Sequence, residues 1–161
     1  FNFFTRYVGD ETRIKWPNDI YWRDRKAAGI LIENSFRGPI WQWSIAGMGV
    51  NINQTSFGTE LNKAVSLKQI TGKTHAVKDL AVQLCGYIEE ALDILLTEGP
   101  DALIAFYNNA LYKKGELVTV AVNEVVKTVT ICRILSNGFL EIENENGTKE
   151  SVALGAVKWL S

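Results

Sequence analysis

Three short segments near the start of this chain combine charged, amide and glycine residues with strongly apolar sequence. They are KWPND (Lys15–Asp19), RKAAGILIE (Arg25–Glu33) and GMGVNIN (Gly47–Asn53). Core packing does not require this mixture. A site for a charged, flat ligand does, since it needs a cation, a hydrogen-bonding amide and a backbone that the ligand can approach closely. These segments therefore hold the candidate functional residues, and the rest of the chain is predicted to be scaffold.

The KWPND segment is predicted to form a stiff turn. Pro17 fixes its own φ and favours an extended conformation for Trp16. Such a turn can aim Lys15, Asn18 and Asp19 at a common point. The alternative is an ordinary β-turn with a solvated lysine, and this segment alone does not decide between the two.

Lys26 is the strongest candidate for a ligand-binding cation. It precedes Ala27, Ala28 and Gly29, whose small side chains leave room for a ligand against the backbone. An ammonium in a dry site stabilises a carboxylate or phosphate far more than one in water does. The alternative is a lysine at the start of a strand, which is common.

Asn51 is the candidate in the GMGVNIN segment. Gly47 and Gly49 resemble part of a dinucleotide fingerprint, but the third glycine is missing and a polar loop follows in place of a helix. A carboxamide places a donor beside an acceptor, which matches the edge of adenine. The alternative for Asn51 and Asn53 is turn capping by side chain to backbone.

Other catalytic sites find little support in the sequence. His75 is the only histidine, and a surface or capping role is expected for it before the predicted helix. Cys85 and Cys132 have no metal-ligand spacing and are predicted to be reduced thiols, and no metal-ligating residues are predicted. Trp22, Trp41 and Trp43 are predicted to lie in the core and at an interface, since no basic stripe accompanies them.

The composition is that of one main globular domain. The chain has 161 residues and a formal net charge of −1, with 47% hydrophobic and 22% charged residues. This charge gives no electrostatic case for nucleic acid, and no apolar run is long enough to span a membrane. We expect a cytoplasmic location. The first residues resemble neither a signal nor a transit peptide and include no initiator Met, so the chain is expected to begin inside a larger protein.

Sequence periodicity predicts the elements that position these segments. Strands are predicted at Arg13–Trp16, Ile20–Trp22, Ala27–Ser35 (buried) and Ile40–Val50, followed by a loop over Gln54–Leu61. Apolar residues at steps of three or four predict a helix over Val77–Thr97, ended by Glu98-Gly99-Pro100, and a second helix over Asp101–Tyr112. Five more strands are predicted at Leu117–Val122, Lys127–Leu135, Phe139–Glu143, Glu150–Ala153 and Val157–Leu160. Their close spacing indicates a small barrel of SH3 size.

The order and spacing of the three segments closely resemble those of biotin protein ligases. The Lys-Ala-Ala-Gly-Ile-Leu-Ile-Glu strand begins eleven residues after Lys15 and is followed by GMGVNIN. The stretch Ala64–Leu67, two helices and a small C-terminal barrel also fit, so the resemblance covers essentially the whole chain. It implies an α+β fold in which a mixed β-sheet packs on helices, like that of class II aminoacyl-tRNA synthetases and biotin ligases, followed by an SH3-like β-barrel. Residues 1–113 would be the catalytic portion and residues 114–161 the barrel.

The resemblance implies a biotin–[acetyl-CoA-carboxylase] ligase. Such an enzyme joins biotin to ATP, with Mg²⁺ accompanying the ATP, and passes biotin from biotinyl-5′-AMP to a lysine of a biotin carboxyl carrier domain. Lys26 matches the essential lysine near the biotin carboxylate and the α-phosphate. Gly29 and Ile30 match the strand against which biotin lies.

The nucleotide site is implied by the same resemblance. Asn51 matches the residue that reads adenine, and Ala64 lies at the matching edge of the adenine pocket. Lys15, Asn18 and Asp19 match the turn that faces the phosphates and the incoming lysine, with Lys15 and Asp19 assigned to catalysis together with Lys26.

One departure from the family pattern is serious. The family's Gly- and Arg-rich loop upstream of KWPND has no counterpart, since Arg6 and Arg13 are isolated. We therefore expect the chain to enter at the end of a helix, to hold half of an active site, and to bind biotin weakly and form adenylate poorly when alone. A strand edge left by a missing half would be liable to pairing, so a homodimer is a hypothesis.

Two alternatives stay open. The chain could be a lipoate–protein ligase or a related acyl-adenylate enzyme of the same architecture, although KWPND with GMGVNIN favours biotin. It could also be a non-catalytic interaction module in which the barrel binds a partner. The retention of Lys15, Asp19, Lys26 and Asn51 argues against that module.

Overall fold

The computed structural model describes residues 1–160, without the side chain of Glu60. Ser161, the last residue of the predicted barrel, lies outside the described residues. Packing divides the chain into two units. The first contains Phe1–Ile14 and Asn18–Cys85, and the second contains Lys15–Pro17 and the chain from Gly86 onward. The predicted domain boundary between residues 113 and 114 stays a prediction.

The first unit is built on a four-stranded sheet with the order β1–β2–β3–β4. Its elements are α1 (Asn2–Val8), a 3₁₀ helix (Gly9–Glu11), β1 (Thr12–Lys15), β2 (Asp19–Trp22), β3 (Arg25–Arg37), β4 (Ile40–Val50), a second 3₁₀ helix (Thr59–Leu61) and α2 (Leu67–Thr71). The pairs β2–β3 and β3–β4 are antiparallel. The four predicted strands are confirmed, with ends that differ by at most two residues, and helix α1 precedes them as expected. The predicted loop over residues 54–61 contains the second 3₁₀ helix.

Strand β3 is buried only near its beginning. Ala27 and Ala28 are 0% and 4% exposed, whereas Leu31 and Ile32 are 64% and 57% exposed. The prediction of a buried strand over Ala27–Ser35 is therefore wrong for its outer part. Branched and aliphatic side chains favour a strand, but burial also needs a neighbour over the strand's face, and periodicity alone does not supply one.

The indoles of Trp41 and Trp43 lie in the outer part of β4. They are 51% and 54% exposed, so a core position is wrong for both, while an interface role stays a prediction. The Trp41 indole N–H donates a hydrogen bond to the Ser44 hydroxyl, which in turn donates to the Asn34 side-chain oxygen. The first bond lies within β4, and the second joins β4 to β3 at the Asn34–Ser44 pair.

Helix α2 begins with a capping box. The Gln69 N–H donates to Ser66 Oγ, and the Ser66 N–H donates to Gln69 Oε1, each at 3.1 Å. Both bonds satisfy amide groups that a helix N-terminus leaves without partners. Gly72 ends the helix with φ 73°, a left-handed conformation that glycine adopts without strain.

The two long helices are confirmed. Helix α3 spans Val77–Thr97 as predicted, and α4 spans Pro100–Ala110. Pro100 begins α4, where its missing N–H costs nothing, and the helix ends two residues before the predicted Tyr112. No helix among residues 1–160 is long and apolar enough to cross a membrane.

The second unit contains a five-stranded antiparallel sheet with the order β8–β7–β6–β5–β9. Its strands are β5 (Leu117–Val122), β6 (Val125–Ile134), β7 (Leu140–Asn144), β8 (Lys149–Val152) and β9 (Val157–Trp159). All five predicted strands are present, while closure into a barrel stays a prediction. The core of this unit consists of Trp16, Leu111, Val118, Val120, Val122, Val129, Ile131, Ile134, Leu140, Ile142 and Val152.

Truncation of this core should destabilise the second unit. Ile142 is 0% exposed, so Ile142→Ala leaves a cavity and is expected to lower the free energy of unfolding by about 2–5 kcal/mol. Val126 is 63% exposed on the neighbouring strand, and Val126→Ala should change it by less than about 0.5 kcal/mol. Urea denaturation followed by circular dichroism measures both, and similar values for the two variants would contradict the assigned core.

Candidate functional site

The centre of the candidate site is an ion pair between Lys26 and Asp19. The ammonium Nζ lies 2.6 Å from Asp19 Oδ1, and the two side chains are 44% and 22% exposed. The residues come from opposite strands of the β2–β3 hairpin, in which Asp19 pairs with Gly29 and Tyr21 with Lys26. The register of the hairpin thus brings the cation and the carboxylate together at a surface that a ligand can reach.

Gly29 leaves the space that this ion pair occupies. A Cβ at this position would lie 3.0 Å from Asp19 Oδ1 and 3.2 Å from both Cε and Nζ of Lys26. Any other residue here would push the two charged groups aside. The glycine that the sequence marked for close approach of a ligand therefore already has the charged ends of two side chains over it.

The backbone of Lys26 is fixed on both sides. Its N–H donates to the Lys63 carbonyl at 2.7 Å, and its own carbonyl accepts from the Val65 N–H at 2.9 Å, which forms a parallel bridge to Ala64. The Asn51 side-chain amide also donates to the Lys26 carbonyl, at 3.3 Å. Lys26, Asn51 and Ala64 are far apart in the sequence, and the fold makes them neighbours.

Asn18 and Ile30 are joined by two hydrogen bonds. The Ile30 N–H donates to the Asn18 carbonyl at 2.9 Å, and the Asn18 side-chain amide donates to the Ile30 carbonyl at 2.7 Å. This reciprocal pair extends the hairpin beyond Asp19. The structure thus connects seven of the eight predicted site residues within the first unit: Asn18, Asp19, Lys26, Gly29, Ile30, Asn51 and Ala64.

The eighth predicted residue, Lys15, packs in the second unit. Its Nζ lies 4.8 Å from the centroid of the Trp159 ring and 5.5 Å from that of the Tyr112 ring. Both distances are within the range of cation–π attraction. The catalytic role assigned to Lys15 stays a prediction, and the two rings are neighbours of its ammonium.

Two residues of the site were not singled out from the sequence. The guanidinium of Arg25 donates to the Ala64 carbonyl at 2.7 Å and so ties β3 to the segment before α2. Burial raises the pKa of the Tyr21 hydroxyl, and the Asp19 carboxylate raises it further. Tyr21 pairs with Lys26 across the tight β2–β3 hairpin, and that pairing could have indicated Tyr21 as a site residue. Nothing in the sequence indicates the contact of Arg25 with Ala64.

Asn53 and His75 have structural partners. The Asn53 side chain exchanges two hydrogen bonds with the His75 backbone, at 2.8 and 2.9 Å, and His75 Nε2 lies 2.9 Å from the Thr71 hydroxyl. The Asn53 side chain therefore bonds to the backbone 22 residues further along the chain, and not within its own turn as the capping alternative predicted. Throughout residues 1–160, no group of three or more His, Cys, Asp or Glu residues is arranged to hold a metal ion.

Comparison with known proteins points to the same part of the chain. Residues 4–53, which contain all three motif segments, match the model of the biotin/lipoate A/B protein ligase family. Human biotin–protein ligase is 26% identical over 146 residues, which is 88% of this chain and 20% of the human protein. The bifunctional ligase/repressor BirA of Salmonella typhimurium is 33% identical over 91 residues, or 56% of this chain and 28% of that protein.

The fold matches a solved ligase structure. The biotin protein ligase from Aquifex aeolicus in complex with biotin and ATP superposes with a TM-score of 0.80 at 24% identity, over 98% of this chain and 65% of that chain. The predicted α+β fold is thereby confirmed. The family model matches residues 4–53 and leaves the rest of the chain unmatched. The chain is similar in sequence to biotin protein ligases, and it spans 20% and 28% of the length of the two curated relatives described above.

A methyl group at residue 29 should open the ion pair without unfolding the chain. In Gly29→Ala the nearest atoms belong to the ends of flexible side chains, so we expect them to move apart and the stability to change by less than about 1 kcal/mol. Lys26 should then be acetylated faster, as measured by mass spectrometry of tryptic peptides. Gly47→Ala is the control, since its Cβ would lie 3.8 Å from the nearest atom. An unaltered Lys26 rate in Gly29→Ala would contradict the geometry.

Proposed function

We propose that this chain acts in a biotin protein ligase. The observation that supports this most directly is the Lys26 ammonium held beside Asp19 over Gly29, inside the segment that matches the ligase family. A ligase of this kind has to bring together two anions, a carboxylate and a triphosphate. Lys26, partly exposed near the start of β3, would offset the repulsion between the carboxylate and the triphosphate.

The proposed reaction has two steps. A biotin carboxylate oxygen attacks the α-phosphorus of ATP, which forms biotinyl-5′-AMP and releases pyrophosphate. The amine of an acceptor lysine then attacks the biotinyl carbonyl carbon, losing a proton as an amide forms and AMP leaves. Lys26 would stabilise the negative charge that develops at the phosphate oxygens in both steps.

The other residues are assigned by their positions on β2 and β3 or by their contacts with Lys26. Gly29 and Ile30 would contact biotin, and Asn51 and Ala64 would border the adenine. The Asn51 amide donates a hydrogen bond to the Lys26 carbonyl, so the residue assigned to adenine is bonded to the backbone of the residue that supplies the cation. Asp19 would orient Lys26 and face the incoming lysine.

Lys15 and Asn18 would contact the phosphates of ATP. Mg²⁺ would enter with ATP, bound mainly through phosphate oxygens. The acceptor would be a lysine of a biotin carboxyl carrier domain, and a cytoplasmic location and a homodimer complete the proposal. The homodimer is consistent with the exposed apolar side chains of β4, among them Trp41 and Trp43.

A lipoate–protein ligase is the second candidate. The matching family model includes lipoate ligases as well as biotin ligases, and both use an acyl-adenylate. The two substrates differ in their ring systems, so direct competition between labelled biotin and labelled lipoate separates the candidates.

Intact-mass analysis of an acceptor domain tests the proposal. A biotin carboxyl carrier domain is incubated with biotin, Mg·ATP and this chain, alone and with a protein that supplies the Gly- and Arg-rich segment. We expect biotinylation at least in the supplemented reaction. Lys26→Ala should reduce the rate by about 10²–10³-fold, since it removes a charge that stabilises the transition state.

Two comparisons make the result specific. Lys73→Ala removes an exposed lysine of the same unit and should keep the wild-type rate. Transfer of lipoate but not biotin would support the second candidate. The absence of any transfer in both reactions would defeat both enzyme functions and favour a non-catalytic interaction module.

A further inference from the structure

We infer that Trp159 is a positioning residue for Lys15, and that it sets the place of this ammonium for adenylate formation. The inference rests on the proposed function, which assigns Lys15 to the phosphates of ATP. It concerns contacts among residues of the second unit alone.

Two aromatic rings locate the Lys15 ammonium. Nζ lies 4.8 Å from the Trp159 ring centroid and 5.5 Å from the Tyr112 ring centroid. The two rings are 5.9 Å apart and inclined by 60°, so they form a corner rather than a flat surface. An ammonium attracted to both faces has fewer accessible positions than one over a single ring. Because the rings are neutral, they do not neutralise its positive charge.

Trp159 also holds the backbone next to Lys15. Its indole N–H donates to the Trp16 carbonyl at 3.1 Å. The Tyr107 hydroxyl donates to the Pro17 carbonyl at 3.1 Å. The carbonyls of two consecutive residues, Trp16 and Pro17, thus each accept a hydrogen bond from a side chain. Trp159 therefore acts on this segment twice, through its ring face on Lys15 and through its N–H on the following residue.

The Trp16 side chain anchors the same segment. It is 3% exposed in the core of the second unit, and its indole N–H donates to the Gly138 carbonyl at 3.0 Å. Trp159 is in turn fixed by β9, where it pairs with Val120 of β5. The position of Lys15 is thus determined by residues more than ninety positions further along the chain.

Loss of the Trp159 ring should affect the two substrates, ATP and biotin, differently. Lys15 is assigned to the phosphates and not to biotin, so a displaced ammonium should weaken the use of ATP and leave the use of biotin unchanged. A general loss of structure would instead impair both substrates. The split between the two KM values therefore separates positioning from folding.

The test compares Trp159→Leu, which removes the aromatic face, with Trp159→Phe, which keeps a ring but loses the N–H. In biotin-dependent ATP–pyrophosphate exchange, supplemented as above where needed, Trp159→Leu should raise the KM for Mg·ATP by about 2- to 30-fold. The KM for biotin should stay the same. Trp159→Phe should keep the KM for Mg·ATP close to the wild-type value. Leu160→Ala, at an exposed neighbouring residue, should match the wild type.

A second readout does not depend on activity. NMR of the dimethylated lysines should show an upfield ring-current shift for Lys15 that is lost in Trp159→Leu and kept in Trp159→Phe. An unshifted Lys15 signal in the wild type, or an unchanged KM for Mg·ATP in Trp159→Leu, overturns the inference. The absence of wild-type exchange together with a normal Lys15 shift would instead count against the proposed function.

Discussion

The Lys26 ammonium and the Asp19 carboxylate meet above a glycine because strands β2 and β3 pair in one register. A shift by one residue would turn these side chains to opposite faces of the sheet. A side chain on Gly29 would separate them even in the correct register. The site therefore depends on a hairpin and on the absence of one Cβ, and the contacts of Lys63, Val65 and Asn51 add support by fixing the strand from its other side.

The same strands show how unevenly this sheet is packed. Ala27 and Ala28 of β3 are buried, whereas the outer half of the β3–β4 hairpin exposes large apolar side chains on both faces, including Phe36 opposite Trp41. Strands that are apolar on both faces are typical of the interior of a layered fold. The hairpin retains the pattern of an interior strand pair although its outer half is open to solvent.

The KWPND segment is divided between two packing environments. Lys15, Trp16 and Pro17 are held by aromatic residues and carbonyls of the second unit, whereas Asn18 and Asp19 bond to β3 in the first. Pro17 restricts the backbone of this segment, as the sequence predicts. This restriction does not explain how Lys15 is oriented, because that depends on Trp159 and Tyr112.

The sequence by itself determined the positions of the two long helices and of the strands, and it selected the candidate site residues. Periodicity placed α3 at Val77–Thr97 and all nine strands, because side-chain repeats of 3.6 and 2 are local properties of the chain. The spacing of the motifs selected Lys26, Gly29 and Asn51. Only the tertiary structure decided that Asp19 binds Lys26, that Arg25 reaches Ala64, that β3 is buried at one end alone, and that Trp159 contacts Lys15. Each of these depends on strand register or on packing between residues distant in the chain, and no local pattern encodes either.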